Sequence, residues 1–225
     1  MIVMFSIRPH PLVMLLAGLI CLVGCTTPTL PGDYGPSVKF VDDAQSNATA
    51  DPAQLIAIPL TRPDGSLTNL SELSAQKPVV LVISRGLIGS ATLDDAGGYG
   101  KQFCSFCSTQ TSRLIANYSE FKKRGAEVIV VFPVARQTDA AEIQNFAAKV
   151  QGPDQTTEDF PFPIVLDVGL AAVEALGIRD DLSKPSTYIL DQNGQLRFAY
   201  IGKSISDRPS IKALLNQLDQ IDTTD

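Results

Sequence analysis

Phe103-Cys104-Ser105-Phe106-Cys107 is the stretch on which the reading of this chain turns. It places two cysteines three positions apart where a Gly-rich connection gives way to a helical pattern. At a helix N-terminus the first turn leaves backbone N–H groups unpaired, and the helix dipole is positive there. A sulfur held over that turn is favoured as thiolate, and a second sulfur one turn on is close enough to form a disulfide with it. Such a pair can carry out thiol–disulfide exchange. The same spacing can also hold zinc or a static bridge.

Upstream, Pro78-Val79-Val80-Leu81-Val82-Ile83 is a continuous apolar, β-branched run, the pattern of a central strand buried on both faces. The connection from Arg85 to Gln102 carries Gly86, Gly89, Gly97, Gly98 and Gly100, and it is longer than a tight turn requires. No Lys-Ser/Thr follows these glycines, so they do not form a phosphate loop. Downstream, Cys107, Thr111, Leu114, Ile115, Tyr118 and Phe121 recur at helical spacing. They predict a helix from Cys104 to Lys123, ended by Arg124-Gly125.

The rest alternates in the same manner. Residues 126–132 read as a second buried strand, 138–150 as an amphipathic helix, 162–167 as a strand and 170–176 as a short helix. Thr187–Leu190 and Gln195–Ile201 flank the turn Asp191-Gln192-Asn193-Gly194, and a last helix runs from about Asp207, capped by Ser206 or Asp207. Before the first buried strand, Ile56–Leu60 and Ser66–Leu70 flank Pro63-Asp64-Gly65 and predict an N-terminal β-hairpin. The expected class is α/β, a mixed central sheet with helices on both faces and that hairpin as an extension.

The N-terminus bears on the redox environment. Arg8 and His10 precede an apolar run from Pro11 to Val23, and no acidic residue comes before Asp33. A run of about thirteen is short for a membrane span and suits a secretory signal. Leu22-Val23-Gly24-Cys25 resembles the lipobox of bacterial lipoproteins. That resemblance implies removal of residues 1–24 and a lipid on Cys25, with the chain in the cell envelope, held to a membrane and facing away from the cytoplasm. Of four cysteines, Cys21 would leave with the signal and Cys25 would be acylated, so Cys104 and Cys107 would be the free thiols. Losing Arg8 moves the formal charge from −6 to −7. An acidic chain without a basic run argues against nucleic acid as a partner. Residues 25–53 are rich in Pro, Thr, Asp and Asn and read as a flexible tether to a single domain over 54–225.

In this order the pieces resemble the thioredoxin-like superfamily, and within it the redoxin branch of membrane-tethered thiol–disulfide oxidoreductases and peroxiredoxin-like proteins. The resemblance covers about residues 54–222. It rests on strand Pro78–Ile83 leading to C-x-x-C, on Phe121–Val130 as a helix-to-strand junction, on Lys184-Pro185-Ser186-Thr187, similar to a cis-proline turn, and on Tyr188–Gly194 as the closing hairpin. It implies a thioredoxin-like fold and disulfide exchange with protein thiols, needing no cofactor and served by a redox partner that recycles the pair. Cys104 would be the nucleophile and Cys107 the resolving thiol. Lys184 and Pro185 would dock an extended substrate beside Phe103 and Phe106, with Lys184 also favouring the thiolate. Phe103 stands where the family commonly has Trp, and Ser105-Phe106 matches no familiar dipeptide of the motif. No Asp ends strand Pro78–Ile83; Asp94 or Asp95 of the Gly-rich connection could take protons in its place, with solvated loop charges the favoured reading of both.

Two alternatives stand beside it. A peroxiredoxin-like peroxidase would need Pro-x-x-x-Thr-x-x-Cys, whereas Lys101 precedes Cys104 by three and Cys104 precedes Cys107 by three. A binding protein with a static Cys104–Cys107 bridge would gain little from so small a loop. Metal binding is not expected, because the chain without its first 24 residues has no His and no third free Cys.

Overall fold

The computed structural model describes residues 30–74, 76–86 and 103–221. The signal-like segment, Cys25 with its lipid and the Gly-rich connection with Asp94 and Asp95 therefore lie outside the described residues. Seven strands form one mixed sheet: β1 (Leu60–Thr61), β2 (Leu67–Thr68), β3 (Val79–Ile83), β4 (Glu127–Val134), β5 (Ile164–Val168), β6 (Ser186–Leu190) and β7 (Leu196–Ile201). Their spatial order is β2-β1-β5-β4-β3-β6-β7. The three central strands are parallel, with Leu81 beside Ile129 and Val131 beside Val165. β6 runs antiparallel to β3 and β7 antiparallel to β6, so the hairpin closes one edge.

The strand residues sort by parity, as a period of two requires. Val80, Val82, Val128, Val130 and Phe132 enter one core, while Val79, Leu81, Ile83, Ile129 and Val131 enter the other. Onto the first face pack α3 (Ser105–Ala116), α4 (Tyr118–Lys123), α5 (Glu142–Gln151) and α7 (Ile211–Ile221), through Leu114, Phe121, Phe146 and Leu214. Onto the second pack α1 (Pro52–Ala57), α2 (Leu70–Ser74) and α6 (Ala171–Ala175), through Leu55, Leu70 and Val173. The expected mixed sheet covered on both faces is thus the observed one.

Local differences have local causes. The helix expected over 104–123 breaks into α3 and α4 at Asn117, whose side chain and backbone N–H both donate to the Arg113 carbonyl, at 2.8 and 3.1 Å. Ile56 and Ala57 are helical: Asp51 Oδ1 accepts from Ala53 N at 3.0 Å and Pro52 sits at the first helical position, a start signal that outweighs the β-branched run. The N-terminal hairpin consequently shrinks to two residues per strand. The last helix starts at Ile211, capped by Ser210 Oγ.

The largest difference concerns the expected tether. Over its described part, residues 30–53 lie against the domain as a strap. Asn47 pairs with the outer edge of β7, its N–H donating to the Ala199 carbonyl at 3.0 Å and its side-chain oxygen accepting from Ile201 N at 2.8 Å. Val41 donates to the Arg208 carbonyl at 2.8 Å, while Val38 and Ala44 are buried. An edge strand offers unpaired backbone groups, and the strap satisfies some of them. Low periodicity in the sequence here reflects irregular backbone, which pairs with the domain all the same.

Candidate active site

The thiols sit where β3 ends and α3 begins. β3 continues as Ser84, Arg85 and Gly86, with Ser84 N donating to Val131 O at 2.9 Å. Gly86 adopts φ +96°, and a Cβ there would lie 2.5 Å from the Pro133 carbonyl, so only glycine fits this turn. The chain is next described from Phe103. Cys104 is the N-cap residue of α3, its carbonyl accepting from Ser108 N at 3.0 Å. Both thiols are free: Cys104 is partly exposed, and Cys107, one turn in, is 2 % exposed. The spacing therefore leaves the first cysteine partly exposed and puts its neighbour in the core.

The charge distribution differs from that expected of the pair. Arg208, from the turn between β7 and α7, is 1 % exposed and reaches the buried thiol, with Nη2 3.2 Å from Cys107 Sγ. Its Nη1 donates to Gln110 Oε1 at 2.6 Å and its Nε to the Ile205 carbonyl at 2.9 Å. The hydrogen bond from Cys104 lowers the Cys107 thiol below its usual range. Burial opposes this, and the Arg208 charge and the Arg85 backbone N–H add to the lowering. Cys104 moves the opposite way, raised first by donating to Cys107 and then by burial and the neighbouring charge. The guanidinium 3.2 Å from Cys107 Sγ favours the negative charge on Cys107 and leaves the proton to Cys104. The partial charges of the first turn at Cys104 thus compete with the neighbouring thiol and a full guanidinium charge at Cys107.

The expected docking residues fall out differently from one another. Ser186, next to Pro185, pairs with Ile83, so this turn lies at the thiol end of β3. The Lys184–Pro185 peptide is trans, not cis, the usual preference of an X–Pro bond. Lys184 is exposed, and its N–H donates to Ile178 O at 2.8 Å. Its carbonyl already accepts the Ser183 and Ser186 hydroxyls at 2.9 and 3.1 Å, and the Pro185 carbonyl accepts Gly202 N. These backbone groups are occupied and do not present an open edge. Among the described residues, the cationic side chain in contact with a thiol is Arg208. Phe103 packs edge-on against Phe146, 5.5 Å between centroids, with Lys149 Nζ over its ring at 5.9 Å. Its position is that of a wedge between α3 and α5. Phe106 is half-buried on the first turn of α3.

Arg208 and Gln110 are the site residues that sequence reasoning did not find. A signal existed: Arg208 precedes Pro209, and a residue before proline is pushed out of the helical region. A helix running from Asp207 was therefore disfavoured, and Arg208 had to belong to a turn. That turn is held by Asp207, which accepts from the Tyr200 hydroxyl at 2.5 Å and from Lys203 N at 2.8 Å. Among the described residues no group of three or more His, Cys, Asp or Glu side chains is placed to hold a metal. A cleft of about 540 Å³ lined by Arg62, Gln144, Phe160 and Ile164 includes neither thiol.

A partly exposed thiol beside a buried one, with a guanidinium against the buried sulfur at the start of a helix, is an arrangement suited to dithiol chemistry. In comparison with known proteins, residues 50–199 match the model of the AhpC/TSA family, and the chain belongs to that family. It is 30 % identical over 141 residues to a chloroplastic peroxiredoxin Q of Triticum aestivum, 61 % of this chain but only about half (52 %) of that protein. It is 29 % identical over 188 residues to a chloroplastic peroxiredoxin Q of Oryza sativa subsp. japonica, covering 80 % of this chain and 71 % of the relative. Among solved structures, peroxiredoxin 6 of Arenicola marina superposes with a TM-score of 0.59 at 16 % identity, covering 79 % of this chain and 75 % of that one. Peroxiredoxin Q of Xanthomonas campestris gives 0.52 at 21 %, covering 79 % and 99 %. A secreted disulfide oxidoreductase of Mycobacterium tuberculosis gives 0.51 at 14 %, covering 76 % and 99 %. At these identities the superpositions establish the thioredoxin-like fold.

Proposed function

We propose that this redoxin exchanges disulfides with other proteins through Cys104 and Cys107. The observation that carries the proposal is the asymmetry of the pair, Cys104 partly exposed and Cys107 sealed one turn on with Arg208 against its sulfur. Cys104 is the attacking sulfur because a substrate can reach it. As it attacks a substrate disulfide, its proton passes to Cys107. A Cys104–substrate bond forms, the substrate S–S bond breaks, and the electron pair leaves on the departing thiolate. That thiolate takes the proton from Cys107. Cys107 then attacks Cys104, forms the intramolecular disulfide and expels the second substrate sulfur as a thiolate, which takes its proton from solvent. Two electrons pass from protein to substrate, and the steps run equally in reverse. A dithiol or disulfide partner must restore the pair. The lipobox-like Leu22–Cys25 supports a lipid anchor in the cell envelope as part of the same proposal.

A peroxidase activity is the second reading, favoured by the AhpC/TSA match and the peroxiredoxin Q relatives. One set of assays separates the two: insulin reduction, equilibration with glutathione and peroxide-dependent thiol consumption, each with Cys104→Ser as control. Exchange activity lost in the variant supports the proposal. Equal activity in both proteins overturns it. Peroxide consumption well above that of free cysteine, without insulin reduction, establishes the second reading in its place.

A further inference from the structure

We infer that Arg208 makes the Cys104–Cys107 pair an electron acceptor: paired with the Cys107 sulfur only in the reduced protein, it favours dithiol over disulfide and drives oxidation of substrate dithiols. This rests on the exchange chemistry proposed above and gives it a direction.

A guanidinium stays charged at any pH the protein meets, and removing it from water is costly unless an anion replaces the lost solvation. Arg208 is 1 % exposed, yet among the described residues no carboxylate pairs with it. Its partners are the Ile205 carbonyl, the Gln110 amide oxygen and Cys107 Sγ. Two are neutral dipoles. The sulfur alone can carry a full negative charge, and it does so only as a thiolate. When Cys107 joins Cys104 in a disulfide that charge is gone, and the buried cation faces neutral acceptors. Whatever stabilises the reduced form relative to the oxidised one raises the reduction potential of the pair.

Arg208 cannot readily swing away. Its carbonyl accepts Val41 N of the strap at 2.8 Å. The turn behind it is drawn tight at Gly202, where an added Cβ would strike the Asp207 carbonyl and approach Pro185 Cγ to 2.9 Å. The penalty on oxidation is therefore built into the fold.

The same contact assists the oxidising step. A substrate thiolate attacks Cys104 Sγ, the Cys104–Cys107 bond breaks, and the electron pair leaves on Cys107, where Arg208 receives it. A sulfur stabilised as thiolate is the better leaving group. The second substrate thiol then displaces Cys104, which leaves with a proton. The substrate dithiol has lost two electrons to become a disulfide, and the protein pair has gained two. Arg208 is a positioning residue here, since it touches the departing sulfur of the protein and not the substrate.

Full-length wild type, Arg208→Met and Arg208→Lys are equilibrated in glutathione buffers of fixed ratio, and the dithiol fraction is read by alkylation and mass. Arg208→Met should shift the equilibrium toward the disulfide at least tenfold, a fall of about 30 mV. Arg208→Lys, which keeps the charge, should fall between the two. A folded Arg208→Met with an unchanged equilibrium overturns the inference. If that variant does not fold, urea unfolding of the wild type in both redox states decides. A disulfide that merely ties the chain makes the oxidised protein the more stable, whereas Arg208 should make it the less stable. An oxidised form equal to or more stable than the reduced one overturns the inference. Wild type that neither equilibrates with glutathione nor reduces insulin defeats the exchange proposal alone, because the unfolding comparison on chemically oxidised protein still tests Arg208.

Discussion

Arg113 on α3 grips Asp33 of the strap at two points, Nε to Oδ2 at 3.1 Å and Nη2 to Oδ1 at 3.2 Å. The same guanidinium donates to the Val38 carbonyl and the Gly35 carbonyl, both at 2.9 Å, and stacks over Phe40 at 5.3 Å. One planar fork thereby ties the helix that carries both thiols to a segment 80 residues earlier.

Arg113→Ala should therefore cost about 2 kcal/mol, because partly buried acceptors lose a charged donor. Arg113→Lys should recover less than half, since an ammonium cannot match two carboxylate oxygens and two carbonyls together. Denaturant unfolding measures the loss. Limited proteolysis should then cut within 30–47, which wild type should resist. An unchanged cleavage pattern would mean that the contacts at Val41 and Asn47 hold the strap without Arg113.

The charge on Cys107 gives reduced protein a pH signature. A thiol whose folded pKa lies below its unfolded value of about 8.5 contributes stability that is complete above that value. The contribution is lost as pH falls through the lowered folded value. The stability difference between reduced wild type and Cys107→Ser should therefore shrink from pH 8.5 toward acid. Thiolate absorbance near neutral pH should persist in Cys104→Ser and vanish in Cys107→Ser. The opposite pattern would return the charge to Cys104.

Gly202→Ala tests the turn that delivers Arg208. The added methyl meets backbone at Asp207 and the Pro185 ring, neither of which is the flexible end of a side chain. Overpacking of this kind costs about 1–3 kcal/mol. The cost should come with weaker Cys107 thiolate absorbance as Arg208 shifts. A stability loss without any change at the thiol would separate the turn from the site.

The buried strands, their order and the helix after the thiols were legible because each rests on local pattern: β-branched runs for β3 and β4, helical spacing from Cys107 to Phe121, a turn at Asp191–Gly194. The cysteine pair was legible for the same reason. Arg208 was not, since its role comes from a contact 101 residues away in sequence, and a lone Arg in a polar segment resembles any surface charge. The strap was missed for a related reason. Its partners are backbone groups of an edge strand, and backbone pairing leaves no mark on side-chain composition. α1 shows the reverse case, where Asp51-Pro52 announced a helix that the apolar Ile56–Ile58 run obscured.

Asp167 offers a test on a buried acid outside the thiol pair. Its side chain is fully buried at the end of β5, where Oδ1 accepts from Ala172 N and Oδ2 from Val173 N, both at 3.0 Å, capping the start of α6. Burial pushes its pKa up, and the amides of Ala172, Val173 and Ala171 only partly offset this. A folded value above the unfolded one of about 3.9 means that the stability contribution is complete below that pH and declines as pH rises through the folded value. Asp167→Asn keeps one acceptor oxygen and never ionises. The margin of wild type over Asp167→Asn should therefore be widest near pH 3.5 and narrow toward neutrality. Asp167→Ala, which leaves both N–H groups without an acceptor, should lose about 1–3 kcal/mol near pH 3.5, a margin that narrows toward neutrality in parallel. Urea unfolding of the three proteins from pH 3.5 to 7 measures both effects. A margin that widens with pH would show that the two backbone donors outweigh burial and hold Asp167 as a carboxylate.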